Sequence, residues 1–294
     1  SHHREFLSPV QEGVAFGGVH PRFMTLKLTI LGCGTSGGVP RVGNIWGACD
    51  PSNPKNRRRR CSVLVQKESG EGTTTVLVDA SPDLREQLLD IGVGWLDGVL
   101  FTHDHADHTH GIDDLRMVSY NGRRRVAVYY DQLTGQQLKQ RFAYCFNMSA
   151  NGEYPPILDG HEIAPGVPVK VLGQGGGIEA LPFRQRHGTG ETLGFRFGGI
   201  AYSPDVSDLP EESLKYLANL DVWIIDALRY VRHPSHFSVD EALSWIARIK
   251  PKRAVLTHMH VDLDYEALAR ELPKGVEPAY DGMMLTTKDK IADL

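Results

Sequence analysis

Histidine and aspartate crowd one short stretch of the chain. The run "GVLFTHDHADHTHGIDDL" places His103, His105, Asp107 and His108 in the spacing HxHxDH, where an apolar segment ends. Alternate residues of an extended or turning segment point the same way, so His103 and His105 can face one point in space, while Asp107 and His108 lead into the next helix and can face a second. Neutral imidazole and carboxylate suit Zn, Mn, Fe or Ni ions, and an aspartate can bridge a pair or bind its harder member. Three more candidates close other apolar segments: His187 after "IEALPFRQR", Asp205 at the end of "IAYSPD" and His258 at the end of "RAVLTH". Each alone reads most simply as a hydrogen-bonded turn residue. Added to the cluster, they supply two sites of three or four ligands with one carboxylate to share. Two adjacent divalent ions lower the pKa of a bridging water enough to give hydroxide near neutral pH, and they offset charge on phosphoryl oxygens during in-line attack. Phosphodiester hydrolysis uses such a pair best.

Residues so far apart need a scaffold that gathers strand ends, and the chain has the pattern of one. Its 294 residues, 41% hydrophobic and 23% charged, suit a soluble globular protein and exclude disorder, collagen and coiled coil. No apolar run nears the ~20 residues of a membrane span, and the start of the chain lacks the basic-then-apolar order of a secretory signal. The four cysteines, Cys33, Cys49, Cys61 and Cys145, form no CxxC pair, so a reducing cytoplasm is the expected compartment. From Thr25, Leu26, Leu28 and Ile30 alternate with polar residues as a strand that runs into the glycine-rich "LGCGTSGGVPRVG". "CSVLVQ" and "TTTVLVDAS" read as strands, and "PDLREQLLDIG" as a helix between Pro82 and Gly92. Short apolar strands and helices then alternate to the C-terminus without repeat, low-complexity tract or linker, which implies one layered α/β domain over 24–294. Residues 1–23 differ in character and are set apart as an N-terminal extension, partly tag-derived.

With Asp79 in "VLVDAS" ahead of HxHxDH and then His187, Asp205 and His258, the chain resembles the metallo-β-lactamase fold superfamily over nearly its whole length from Met24. The resemblance implies a four-layer αββα sandwich with the metals at one sheet edge. It implies that His103, His105 and His187 hold one metal, that Asp107, His108 and His258 hold the other, and that Asp205 bridges them, with Asp107 also counted among the catalytic groups. Asp79 would orient the histidine loop through hydrogen bonds. Capping the helix "PDLREQLL" is its equal alternative. Within the superfamily, "GCGTSGGVPRVG", "NRRRRCS" and "HPSHFSVDEAL" look like the branch of the phosphoribosyl 1,2-cyclic phosphate phosphodiesterase, and share features with the transfer-RNA 3′-processing nucleases. That phosphodiesterase carries closely spaced cysteines after GVP which, with a late histidine, bind a separate structural zinc. Here "RVGNIWGACDPSNPKN" offers only Cys49, so the third site is expected to be missing and His260 reads as a surface histidine. His236 in "HPSHFS" stands where the resemblance puts a histidine near the scissile phosphate, to stabilise charge there or protonate the leaving alkoxide. It otherwise belongs to the cap region of "SVDEALSWIARI", where Ser238 is the better cap. His233 is the weaker candidate.

Lys and Arg number 32 against 36 Asp and Glu, a formal charge of -4, so any polyanion must meet a local patch. Arg57–Arg60 and Arg123–Arg125 are two basic runs whose simplest reading is a solvated face. Guanidinium forks fit phosphate oxygens, and Arg58 joins Ser36 and Gly37 of the glycine-rich loop as candidate phosphate contacts. No basic insertion bounded by Gly or Pro suggests an arm for gripping RNA. The expectation is therefore a small cyclic or nucleotide-like phosphodiester, hydrolysed with two divalent ions, Zn or Mn ahead of Fe, and no membrane partner. A metallo-nuclease and a non-catalytic metal-dependent nucleotide-binding module stand as alternatives. The assembly state is left open, a homodimer included.

Overall fold

The computed structural model describes residues 24–289, so the N-terminal extension over 1–23 lies outside the described residues. The first sheet begins with β1 (Thr25–Gly32), β2 (Ser62–Ser69), β3 (Gly72–Val78), β4 (Gly98–Leu100), β5 (Val126–Tyr130) and β6 (Leu158–Glu162). The second holds β7 (Val169–Val171), β8 (Ile178–His187), β9 (Gly190–Phe197), β10 (Ile200–Ser203), β11 (Val222–Asp226), β12 (Arg253–Thr257) and β13 (Val276–Pro278). The chain then returns to the first sheet as β14 (Met284–Lys288), paired with β1. Strand order is β14-β1-β2-β3-β4-β5-β6 in one sheet and β13-β12-β11-β10-β9-β8-β7 in the other.

Period-two alternation sorts the side chains of the first sheet. Val63, Val65, Val76 and Val78 enter the core between the sheets, while Leu64 and Leu77 face a second core. That second core is closed by α1 (Leu84–Ile91), a single turn α2 (Ala106–Thr109), α3 (Leu115–Gly122), α4 (Gln132–Arg141) and α5 (Ala143–Phe146), which contribute Leu84, Leu88, Leu115, Val118, Leu138 and Cys145. Helices α6 (Val239–Ile249) and α7 (Tyr265–Glu271) flank the second sheet and add Val239, Ala242 and Leu268 to the larger core. Burial on both faces is why strands such as "VWIID" are apolar without a break. These layers are the αββα sandwich.

The pairings explain where the strands end. From β14 to β3 and again from β7 to β10 they are antiparallel; from β3 to β6 and from β10 to β13 they are parallel. The halves thus echo each other in topology with no repeat in sequence. Parallel neighbours need crossovers, so their carboxyl ends share one edge, and ligands bind in crevices outside such ends. β3, β4, β10 and β12 all finish within three residues of a candidate residue.

Candidate metal centre

Most of the candidate residues sit where a buried strand gives way to a turn. His187 is the last residue of β8, Asp205 lies just past β10, His258 follows β12, and Asp79 follows β3. His103 and His105 occupy the turn after β4, and Asp107 and His108 the middle of the single-turn α2. Asp79, Asp205 and His258 adopt left-handed backbone (φ 66, 47 and 60). A non-glycine residue pays about 1 kcal/mol or more for that conformation, and such strain collects at functional sites.

The predicted residues form two groups whose ligand atoms all lie within 4.8 Å of one another: His103, His105, His187 and Asp205, then Asp107, His108, Asp205 and His258. Asp205 divides itself between them. Its Oδ2 is 3.5 Å from His103 Nε2 and 3.6 Å from His187 Nε2, whereas Oδ1 is 2.8 Å from His108 Nε2 and 3.2 Å from His258 Nε2. Asp107 Oδ2 reaches the same two rings, at 3.3 Å and 3.4 Å.

The far side of each ring fixes what the near side offers. His108 Nδ1 donates to Asp79 Oδ2 at 2.6 Å, and His187 Nδ1 donates to the Ser235 carbonyl at 2.6 Å. Asp79 also accepts from Thr102 N and, at 2.7 Å, from the Thr102 hydroxyl, so that hydroxyl has only lone pairs left for His103 Nδ1–H at 2.9 Å. Three rings therefore turn an Nε2 lone pair towards the carboxylates, a tautomer set by the outer partner. Asp79 makes these contacts to the histidine loop; the residue at the N-terminus of α1 is Asp83. His103 Nε2, His108 Nε2, His258 Nε2, Asp107 Oδ2 and Asp205 Oδ1 are buried without a hydrogen-bond partner among the described residues. Lone pairs facing lone pairs in a dry site call for cations, and the donor set of imidazole nitrogen and carboxylate oxygen fits divalent ions.

Without metal, protons do part of that work. Burial alone would lower His108 and His258, but the Asp205 and Asp107 carboxylates outweigh it, raising His108 well above its usual range and His258 to about 9. Burial would lift Asp205 and Asp107, yet the His108 charge holds both below the usual carboxylate range. On the other side burial prevails: His187 falls to about 3 and His105 is also lowered.

His236 stands beside this pair of sites. Its Nε2 lies 4.0 Å from Asp205 Oδ2, its ring stacks on His258 with centroids 4.6 Å apart, and its Nδ1 donates to Asp226 Oδ2 at 2.6 Å. Ser238 caps α6 in a reciprocal capping box with Glu241, so His236 has no part in the cap. Asp226 is not among the residues that motif spacing singles out. It closes "VWIID" as Asp79 closes "TVLVD", fully buried in each case, and that shared signature is the signal that could have found it.

The candidate phosphate contacts fare differently. Ser36 and Gly37 sit on an exposed turn, and Gly37 borders a groove shared with Arg41, Arg57 and Arg60. Arg58 is a correction: it is 1% exposed and turned inward. Its guanidinium donates to the carbonyls of Leu263 (2.6 Å) and His260 (3.3 Å) and to Asn56 Oδ1, which ties the 49–60 loop to the segment after His258. The Cys49 thiol adds bonds to the Val261 and Leu263 carbonyls, both 3.3 Å. Arg59 pairs with Asp90, and Arg60 forks onto Asp83. Arg123–Arg125 precede β5 and so lie at its amino end, the edge of the parallel strands away from the centre. His260 is partly buried, its Nδ1 accepting from Asp262 N.

Residues 74–259 match the Beta-lactamase superfamily domain. An octanoyltransferase of Porphyromonas gingivalis is 34% identical over 270 residues, covering 90% of this chain and 52% of that protein, so the chain spans about half the length of this curated relative. A crystal structure described as "a New Diphosphatase from the PhnP Family" superposes with a TM-score of 0.79 at 36% identity, covering 90% of this chain and 98% of the other. The short form of human tRNase Z shares the fold, with a TM-score of 0.59 at 17% identity, covering 88% of this chain and 98% of that one.

Proposed function

Because the chain belongs to the beta-lactamase superfamily and, within it, to the PhnP family, we propose that it is a dinuclear metal-dependent phosphodiesterase acting on a small cyclic or nucleotide-like ester. The observation that carries this reading is the division of Asp205, one oxygen towards His103 and His187 and the other towards His108 and His258. His103, His105 and His187 hold one ion, Asp107, His108 and His258 the second, and Asp205 serves both. Zn and Mn suit these ligands best, with Fe next. Two bound divalent ions make hydroxide available near neutral pH and offset charge on the phosphoryl oxygens.

The rest is done by this chain's side chains. Asp79 and Thr102 hold the His108 and His103 rings, so the ligand lone pairs need no reorganisation when substrate arrives. His236, with Nδ1–H committed to Asp226, presents Nε2 at the rim of the site. In that orientation the ring can donate from Nε2 to a phosphoryl oxygen or pass a proton to the leaving alkoxide. That the PhnP-family relative is a diphosphatase supports phosphoester chemistry. Acyl transfer, after the name of the Porphyromonas relative, is not favoured: this chain matches about half of that protein, and its four cysteines are buried.

The test is elemental analysis of the purified protein, followed by a panel of aryl and cyclic phosphodiesters assayed with each metal. Wild type is expected to carry about two ions per chain and to turn over a small diester, and His105→Ala to lose both metal and activity. Full activity in His105→Ala would overturn the ligand assignment. Tight polynucleotide binding with a steep salt slope would replace the small substrate with a nucleic acid.

A further inference from the structure

The ligand rings are not equally well held. His103, His108 and His187 each have a hydrogen bond behind the ring, and His258 is buried and stacks on His108 and His236. His105 has neither support. Its ring makes no hydrogen bond among the described residues, and the residue is exposed. A metal ligand is ordinarily oriented by the group behind it, so the aim of His105 has to come from the backbone that carries it.

That backbone is gripped from α4. Arg141, the last residue of the helix, forks onto Asp104: one guanidinium nitrogen donates to the Asp104 carbonyl at 2.6 Å and the other to Asp104 Oδ2 at 2.7 Å. The carbonyl belongs to the peptide that joins Asp104 to His105, and the peptide is planar, so the fork fixes the plane from which His105 hangs. On the other side of His105 the Thr109 hydroxyl donates to its carbonyl at 2.8 Å. Phe142, the residue after Arg141, meets the His110 ring edge to face with centroids 5.5 Å apart. Two consecutive residues at the end of α4 thus bracket the loop from Asp104 to His110. The helix itself is anchored, with Asp131 capping its start and Leu138 buried in the core. Yet α4 contributes none of the ligands.

We propose that Arg141 is a positioning residue of the metal centre, holding the Asp104–His105 peptide so that His105 faces the ion bound with His103 and His187. This rests on the two-ion reading of the centre. The experiment titrates Zn into the metal-free full chain against a chromophoric chelator, for wild type, Arg141→Ala, Arg141→Lys, His187→Ala and the His187→Ala/Arg141→Ala double variant. Wild type should bind two ions. Arg141→Ala should weaken one of them about tenfold, the low end of the usual cost of losing a group behind a ligand, and leave the other unchanged. Arg141→Lys should fall between the two, since an ammonium keeps the charge but cannot span carbonyl and carboxylate as a fork does. His187→Ala should keep the ion on the side of Asp107, His108 and His258, and adding Arg141→Ala should weaken that ion no further, because Arg141 acts on the other side. The Arg141 side chain is 40% exposed in its ion pair, so the Tm of the metal-free protein should hardly move. A residue that only supported the fold would shift Tm and both ions together. Unchanged affinities in Arg141→Ala, equal weakening of both ions, or a further loss in the double variant overturns the positioning role while the two-ion reading stands. Fewer than two ions in wild type overturns that reading, and the positioning role with it.

Discussion

Asp226 does for His236 what Asp79 does for His108. Each carboxylate is fully buried at the end of an apolar strand, and each takes an Nδ1–H at 2.6 Å. The rings they hold serve different ends, since His108 Nε2 points into the ligand set, whereas His236 Nε2 stands 4.0 Å from the nearer oxygen of Asp205, at its rim. Equivalent substitutions should therefore have different signatures. Asp79→Ala is expected to weaken metal binding about 10- to 100-fold, the usual cost of removing a partner behind a ligand. Asp226→Asn is expected to leave about two metals per chain and to lower kcat by roughly 10- to 100-fold, less than the loss in His236→Ala, which forfeits the acid itself. The double variant Asp226→Asn/His236→Ala should be no slower than His236→Ala, because Asp226 acts through the ring. Metal content and kcat measured on all four proteins settle the assignment; an ion lost from Asp226→Asn would make it a ligand.

At the scale of elements, strand ends are readable from the sequence and loops are not. A buried strand that stops on His or Asp is a local pattern, and "VLVD", "LFTH", "YSPD" and "VLTH" all show it. Convergence of those ends follows from parallel pairing of β3 with β4 and of β10, β11 and β12, since parallel neighbours finish at one edge. Arg58 shows where local pattern fails. In "NRRRRC" nothing local distinguishes the guanidinium that turns inward, because its partners, the His260 and Leu263 carbonyls, are about two hundred residues away. The arginine pins the loop that leads out of the glycine-rich segment against the segment after His258. Arg58→Ala should orphan those buried carbonyls and cost about 2–4 kcal/mol, lowering Tm by several degrees. Arg57→Ala, an exposed neighbour, is expected to stay within about 0.5 kcal/mol of wild type. Equal melting curves for the two variants would show that the buried guanidinium contributes nothing to the join.

At the scale of the whole molecule, the metal centre is the seam between the sheets. The first sheet supplies His103, His105, Asp107 and His108 through the turn after β4, and the second supplies His187, Asp205 and His258. Bound ions would therefore cross-link the two halves, adding stability by mass action with no change in the cores. The metal-free protein balances the same carboxylates with protons on His108 and His258. A raised histidine pKa contributes stability that is complete below the unfolded value of about 6.5 and disappears as pH rises through the folded one, for His258 about 9. Metal must expel those protons, so its affinity rises over the same window in which the metal-free protein weakens. Loading at pH 7 should release about two protons per chain, chiefly from the His108 and His258 side, because His105 and His187 are lowered by burial and already neutral. Calorimetry in two buffers of different ionisation enthalpy counts those protons, and melting curves from pH 6 to 9 with and without chelator should show the stability gap widening with pH. A gap that stays constant or narrows would mean that His108 and His258 are not protonated in the metal-free centre.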